Sequence, residues 1–190
     1  MSVGLFEDFV QKDDKLVVVS GSSGSSTRQD GAGGLLDLVR GSVSGNWRWI
    51  RSKTKFVRTK HEPVFMARLK TLSQTNQDLF VGLEDAGNKY IGFYRLDGAT
   101  PGNWKCRVGD TSEANSGIPG NISEVTLAVA VSRTQLAFFI NDVCVYIERA
   151  GYVSGTGVMS VDLYLSAWIR TNENAAKTLR LDHIDVTCGR

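Results

Sequence analysis

Short runs that alternate between apolar and polar residues recur along the chain and end at residues typical of turns. The clearest is PVFMARLKTL, residues 63–72, in which Phe65, Ala67 and Leu69 fall on one face of an extended strand. No segment of ten or more residues has apolar positions at the i, i+3, i+4, i+7 spacing of an amphipathic helix. The pattern predicts roughly a dozen short strands, as in sandwiches and barrels.

Several predicted strands are apolar on both faces, as in LAVAV, residues 127–131, and VDLYL, residues 161–165. Such strands lie between two layers or in a sheet whose second face is covered. We therefore predict an all-β fold, an antiparallel β-sandwich, that occupies residues 1–190 as a single domain. Two polar stretches are predicted as long surface loops: the Gly/Ser-rich residues 20–34 and the residues 111–123.

Two tight turns are predicted between neighbouring strands. Residues 85–89, DAGNK, join two strand-like runs. Asn141 and Asp142 interrupt LAFFINDVCVYI as a two-residue type I′ turn, which requires positive φ at both positions. Cys144 then falls on the second strand, where a small side chain is expected to pack. Asp142 and Cys144 are thus interpreted as scaffold and not as a catalytic pair.

Composition bounds the class of protein. The chain has 190 residues, of which 42% are hydrophobic and 22% are charged, enough to bury a core without metals or disulfides. The net charge of +2 is too small to predict nucleic-acid binding, and no apolar run reaches the roughly 18 residues that span a membrane. The three cysteines are far apart, so free thiols are expected. The N-terminus lacks the features of a secretion signal, which favours a protein made in a cytoplasm.

The order of the motifs resembles a known fold family. FEDF precedes a Gly-rich region and an aromatic strand, and VFMARLK, FVGLEDAGNKYIGFY, GNW, TLAVAV, FFINDVCV and LRLDHIDV follow. The series is similar to the concanavalin A-like lectin/glucanase jelly roll, and more narrowly to versions that serve as structural proteins of tailed bacteriophages. The resemblance covers about residues 5–186 and implies two large curved sheets.

The glucanase branch of this fold supplies a test for enzymatic activity. In glucanases of this branch the catalytic residues lie on one strand in the motif E-x-D-x-x-E. Two carboxylates on the same face act as the nucleophile and as the acid/base. In this chain the acidic residues of LFEDF and GLEDAG are adjacent, so on a strand they point to opposite faces. We therefore expect no catalytic residues and no enzyme.

The lectin branch binds calcium and manganese through acidic residues and histidine. Asp162, Asp182, His183 and Asp185 could form such a cluster, but acidic residues at strand ends are more typical of solvated edges. No calcium loop of the D-x-[DN]-x-[DN] type is present. We expect no metal site and no cofactor.

Aromatic residues beside turns are the candidates for sugar binding, because a sugar ring stacks on an exposed aromatic face. Trp47 and Trp104 each follow a Gly-Asn pair. Burial in the core is the competing interpretation for each. If a sugar site exists, it is predicted to contain Trp104, Asn103, Tyr90 and Tyr94.

The run RWIRSKTKFVRTKHE, residues 48–62, is strongly basic. Arg51, Lys53 and Lys55 share one face of a predicted strand, and Arg58 and Lys60 extend it. One interpretation is a solvated face that discourages edge-to-edge pairing. The alternative is a contact with an anionic surface, such as an acidic patch on a capsid protein or a lipopolysaccharide phosphate.

These features together predict a non-enzymatic phage virion protein, either a capsid decoration or a tail or fibre component. The alternative is a carbohydrate-binding module that recognises host surface glycans. The first hypothesis predicts other virion proteins as partners, a glycan as a further ligand, location in the virion and assembly as a homo-oligomer such as a trimer. Neither nucleic acid nor membrane insertion is expected.

Overall fold

The computed structural model of the protein describes residues 3–7, 16–20, 24–29, 35–85, 89–110, 112–149 and 161–188. These ranges contain sixteen strands and one 3₁₀ turn, Thr59–His61. The strands are β1 (Val3–Glu7), β2 (Leu16–Ser20), β3 (Gly24–Gln29), β4 (Leu35–Arg40), β5 (Trp47–Ser52), β6 (Val57–Arg58), β7 (Val64–Thr71), β8 (Gln77–Glu84), β9 (Tyr90–Asp97), β10 (Asn103–Gly109), β11 (Ser112–Pro119), β12 (Val125–Val131), β13 (Gln135–Ile140), β14 (Val143–Arg149), β15 (Asp162–Thr171) and β16 (Lys177–Cys188). No helix in these ranges has the length and apolar character needed to cross a membrane.

The strands form two antiparallel sheets, each with eight described strands. Sheet A has the order β14-β13-β12-β7-β16-β4-β3, and β1 also pairs with β16. Sheet B has the order β11-β10-β9-β8-β15-β5-β2, and β6 also pairs with β15. The prediction of an all-β antiparallel sandwich is confirmed.

Alternation along each strand decides which side chains fill the space between the sheets. In β7 of sheet A, Phe65, Ala67 and Leu69 are buried whereas Val64 and Arg68 are exposed. Strand β8 of sheet B is different, because every residue on it is buried. Sheet B is therefore covered on both faces, by sheet A on one side and by its own large side chains on the other.

The predicted turns are confirmed where the structure describes them. Asn141 and Asp142 have φ values of 48° and 65°, as a type I′ turn requires. Strands β8 and β9 are joined at residues 85–89, of which 86–88 lie outside the described residues. The placement of Cys144 was predicted wrongly: its side chain is exposed on β14, whereas the free thiols Cys106 and Cys188 are buried.

Both predicted long loops contain an edge strand, so the loop prediction is wrong at these positions. Strand β3 pairs with β4 at one end of sheet A, and β11 pairs with β10 at one end of sheet B. An edge strand needs a hydrogen-bonded neighbour on one side only and can be polar, so its sequence resembles a loop. Residues 21–23 and 30–34 of the first stretch lie outside the described residues.

Candidate functional site

The outer face of sheet B, turned away from sheet A, carries a row of large aromatic side chains. The register places Trp49, Trp168, Phe80 and Tyr94 side by side on β5, β15, β8 and β9. The Trp168 ring centroid lies 6.1 Å from that of Phe80 and 5.8 Å from that of Tyr94. We call these four residues the aromatic row.

A second row runs parallel to the first and contains, on each strand, the residue two positions away from the aromatic row. From β5 to β10 it contains Arg51, Ser166, Gly82, Gly92 and Arg107. A Cβ atom would lie 2.4 Å from a backbone oxygen at Gly82 and 2.5 Å from one at Gly92. The centre of this glycine row therefore admits no side chain, and its charged groups are restricted to the two ends.

Glu84 lies in a third row, between Tyr164 on β15 and Tyr90 on β9. Only 5% of Glu84 is exposed. Burial raises the pKa of its carboxyl group, and the charge of Asp85 raises it further; a hydrogen bond with Ser166 and the charge of Arg51 act in the opposite direction. The net effect favours the protonated carboxyl over the range in which an exposed glutamate ionises.

The hydrogen bonds of Ser166 link the aromatic row to this carboxyl group. The indole Nε1–H of Trp49 donates to Ser166 Oγ at 3.0 Å. Ser166 also shares a hydrogen bond with Glu84. The three residues lie on the adjacent strands β5, β15 and β8, so the pairing of the sheet holds Glu84 in position.

Asp85 provides a second carboxylate beside Glu84. It is the first residue after β8, and its Oδ1 accepts a hydrogen bond from the backbone N–H of Lys89 at 3.0 Å. Its backbone N–H donates to the carbonyl oxygen of Lys89 at 3.1 Å, at the end of the β8–β9 pairing. The charge of Asp85 acts on the Glu84 carboxyl, so the two acidic groups of GLEDAG interact.

Arg107 covers the tyrosines at the far side of the site. Its guanidinium carbon lies 4.3 Å from the ring centroid of Tyr90 and 5.1 Å from that of Tyr94. Burial raises the pKa of Tyr94 to about 12, so this phenol keeps its proton. Aromatic rings, the buried Glu84 carboxyl and guanidinium groups thus share one face.

The structure separates the residues of the predicted sugar site. Tyr90 and Tyr94 are on the outer face of sheet B, in two rows separated by the glycine row. Trp104 is 2% exposed and lies on the core face, edge-on to Phe93. It contacts no solvent-facing surface, so its prediction as a sugar platform is corrected. Asn103 starts β10 and donates from Nδ2 to Asn115 Oδ1 at 3.2 Å.

The residues of the predicted basic strand also lie on separate elements. Strand β5 ends at Ser52, so Arg51 to Lys60 do not lie on one strand face. Arg51 and Lys55 both approach the ring of Tyr164. Arg58 pairs with an aspartate, Asp162, at 2.8 Å, and Lys53 and Lys60 are exposed. Contact of these residues with an anionic surface stays a prediction.

The acidic residues considered as metal ligands have other partners. Asp162 pairs with Arg58 on sheet B, and Asp182 lies 3.4 Å from Arg68 on sheet A. Among the residues that the structure describes, no three His, Cys, Asp or Glu side chains are grouped to hold a metal ion.

Sequence reasoning dismissed Glu84 and did not single out Ser166 and Tyr164, two residues of the neighbouring strand that face it or lie beside it. The signal was present, since Tyr164, Ser166 and Trp168 occupy every second position of β15. Strands with two apolar faces conceal it, because either face can be taken for the core.

Several solved structures that resemble this fold are described as carbohydrate-active proteins. An endo-acting O-glycanase structure, described with mucin breakdown by the human gut microbiota, is 9% identical with a TM-score of 0.75 and covers 98% of this chain and 99% of its own. The Bacteroides ovatus mixed-linkage glucan GH16 protein is 12% identical with a TM-score of 0.69 and covers 96% and 99%. A β-1,3-glucanase from Mycobacterium marinum is 11% identical with a TM-score of 0.70 and covers 96% and 97%.

No protein-family model and no curated protein sequence matches the chain. The structural likeness establishes the fold, a concanavalin A-like jelly roll of the kind seen in GH16 proteins. It contradicts the predicted function: this fold, over nearly the full chain, is that of glycoside hydrolases and glucanases, and nothing in it indicates a phage virion protein. The prediction that the chain is not an enzyme is corrected on the same finding.

Proposed function

We propose that the protein is a carbohydrate-active enzyme that cleaves or transfers glycosidic bonds in an extended glycan bound on the outer face of sheet B. The observation that carries this proposal is the buried Glu84 carboxyl, set among aromatic rings on that face. The fold shared with glycoside hydrolases supports the same reaction class.

Glu84 is proposed as the proton donor. Cleavage of a glycosidic bond requires a carboxylic acid that is still protonated at working pH and can pass its proton to the leaving oxygen. Burial raises the pKa of Glu84 and so keeps the group in its acid form. The hydrogen bond from Trp49 to Ser166 orients the serine that contacts this carboxyl.

Asp85 is proposed as the second carboxylate, acting on the sugar or on a water molecule. Both the retaining and the inverting mechanism use two carboxyl groups with different protonation states. The charge of Asp85 raises the pKa of Glu84, so the two carboxyl groups are close enough to interact.

The aromatic row is proposed as the platform for sugar rings, with Trp49 and Trp168 partly exposed. Phe80 and Tyr94 are buried, so the accessible part of the platform is formed by Trp49 and Trp168 on the adjacent strands β5 and β15. Of the predicted sugar site, Tyr90 is half-buried on this face.

Replacing Glu84 with Gln tests the proposal. Glu84→Gln removes the acidic proton and keeps the shape of the side chain, so cleavage of unactivated polysaccharide is expected to fall by roughly 10²–10⁴-fold. Binding of the same polysaccharide should persist. Activity on an aryl glycoside should persist as well, because a good leaving group needs no proton. Reducing-end release and calorimetry measure these quantities.

Glu124→Gln is the matched control, since Glu124 is exposed on sheet A and pairs with Arg68. It should cleave glycans like the wild type. If Glu84→Gln retains wild-type turnover of a polysaccharide that the protein cleaves, the assignment of Glu84 is overturned.

The expectations about oligomeric state, nucleic acid and membranes stay predictions. We propose that the protein forms a homo-oligomer and binds neither nucleic acid nor membranes, and native mass measurement tests the first point. The predictions of virion partners and virion location depended on the function corrected above.

A further inference from the structure

We infer that the glycan bound on this face carries anionic groups and that Arg51 binds one of them beside Glu84. The inference rests on the function proposed above and specifies the class of its substrate, an acidic polysaccharide with carboxylate or sulfate groups.

Two aromatic rings hold the Arg51 side chain. Its guanidinium carbon lies 4.3 Å from the ring centroid of Trp49 and 4.6 Å from that of Tyr164. Stacking occupies the faces of a guanidinium and leaves its N–H edge available for hydrogen bonds in the plane. A fork of donors fixed in this way matches two oxygens of a carboxylate or a sulfate ester.

Arg51 makes no ion pair with any residue of the described ranges, whereas other cations on the same face are neutralised. Arg170 donates from Nε to Asp78 Oδ2 at 2.8 Å, and Lys105 lies 2.9 Å from Glu113. In the glycine row the Arg51 side chain faces Ser166 on β15 and, beyond it, the glycines of β8 and β9, none of which carries a charge. The acidic group that its charge reaches is the Glu84 carboxyl in the next row. The charge of Arg51 is thus available to a ligand.

Lys55 adds a second positive charge at the same ring. Its Nζ lies 5.4 Å from the ring centroid of Tyr164, and the side chain is exposed. Two cations that share one ring repel each other, and an anion bound between them would relieve the repulsion. The pair Arg51 and Lys55 therefore favours a ligand with negative charge over a neutral one.

An anionic ligand would also assist the proton donor. The charge of Arg51 lowers the pKa of Glu84 and so opposes the effect of burial. An anion on Arg51 offsets that charge and leaves Glu84 more firmly protonated. An anionic substrate would therefore favour the protonated form of Glu84, the group proposed to protonate its glycosidic oxygen.

The test compares matched polymers on the wild-type protein. One pair is a polyuronate and its carboxyl-reduced form; the other is a sulfated galactan and its desulfated form. The wild type is expected to bind the anionic member of at least one pair roughly ten- to a hundred-fold more tightly. Calorimetry and tryptophan fluorescence read binding, and the pair that shows the preference identifies the anion. The preference should shrink as salt is added.

Arg51→Met is expected to remove this preference, lowering affinity for the anionic polymer and leaving the neutral one nearly unchanged. Arg51→Lys keeps the charge but loses the planar fork, and should retain part of the preference even if Arg51→Met folds poorly. Arg133→Met is the control with the same charge change, in the turn between β12 and β13, and should behave like the wild type.

Equal affinity of the wild type for both members of each pair would overturn the inference. An equal loss on both members in Arg51→Lys would also overturn it, because Arg51 would then act only as a brace between Trp49 and Tyr164. Since binding is read without turnover, failure of the proposed enzymatic function shows separately, as a binding preference without any cleavage.

Discussion

Glu84 combines a carboxyl group, nearly complete burial and contacts from three strands. Its pKa is raised mainly by burial, against the hydrogen bond of Ser166 and the charge of Arg51. In the unfolded chain it would ionise near the ordinary glutamate value of about 4.3. The folded protein therefore holds this proton to a higher pH than the unfolded chain does.

Because the folded and unfolded states bind this proton with different affinity, the free energy of unfolding depends on pH. The direction of the dependence follows from the number of protons that each state binds. Below about pH 4 Glu84 is protonated in both the folded and the unfolded state, so it does not change the free energy of unfolding with pH. As pH rises through the raised pKa, the unfolded state binds fewer protons and stability falls. Glu84→Gln should therefore gain stability relative to the wild type as the pH rises above about 4. Urea unfolding at several pH values measures the difference, and a constant difference would contradict the prediction.

The burial of Trp104 could have been predicted from the sequence. In β10, Trp104, Cys106 and Val108 alternate with Asn103, Lys105 and Arg107, so parity alone assigns Trp104 to the core. The position after a Gly-Asn pair suggested exposure and was the weaker signal. Glu84 could not be recognised in the same way, because its partners Ser166 and Arg51 are distant in sequence and meet only through the order of sheet B.

At the scale of elements, strands with an alternating sequence were predictable and the polar edge strands were not. Strand β7 follows its apolar pattern directly. Strands β3 and β11 carry little apolar character and are defined by backbone pairing with β4 and β10. Pairing depends on a neighbour that the local sequence does not identify.

The β13–β14 hairpin offers a test at this scale. Asp142 has φ of 65°, a conformation that a non-glycine residue adopts at a penalty of about 1 kcal/mol. Asp142→Gly removes the penalty and should raise the melting temperature by roughly 2–4 °C. Scanning calorimetry measures the change.

Asn141→Gly is the matched substitution in the same turn. The side chain of Asn141 accepts a hydrogen bond from the N–H of Thr126 at 2.9 Å, which ties the turn to β12. Glycine at this position loses that bond and should give a smaller gain or a loss. Equal stabilisation by both substitutions would contradict this account.

At the scale of the whole molecule, a buried ion pair lies between the sheets. Arg95 and Asp97 are both fully buried, with Arg95 Nη2 at 2.7 Å from Asp97 Oδ2. Gln77 and the backbone N–H of Gly102 also donate to the Asp97 carboxylate, at 2.9 and 2.8 Å. The cluster joins β8, β9 and the connection to β10.

Removing one partner of this pair should be more harmful than removing both charges. Arg95→Met leaves the Asp97 charge buried and is expected to lower the free energy of unfolding by about 3–5 kcal/mol. The double substitution with Asp97→Asn neutralises that charge and should recover part of the loss. Urea unfolding of the single and double variants tests this, and additive losses would refute it.

The distribution of the three thiols has a practical consequence. Cys144 is exposed on β14 of sheet A, whereas Cys106 and Cys188 are buried and burial raises the pKa of Cys106 to about 12. A maleimide reagent should therefore modify the native protein at Cys144 alone. Attached to a surface through that thiol, the molecule would keep the aromatic row, which is on the other sheet, open to dissolved polysaccharide.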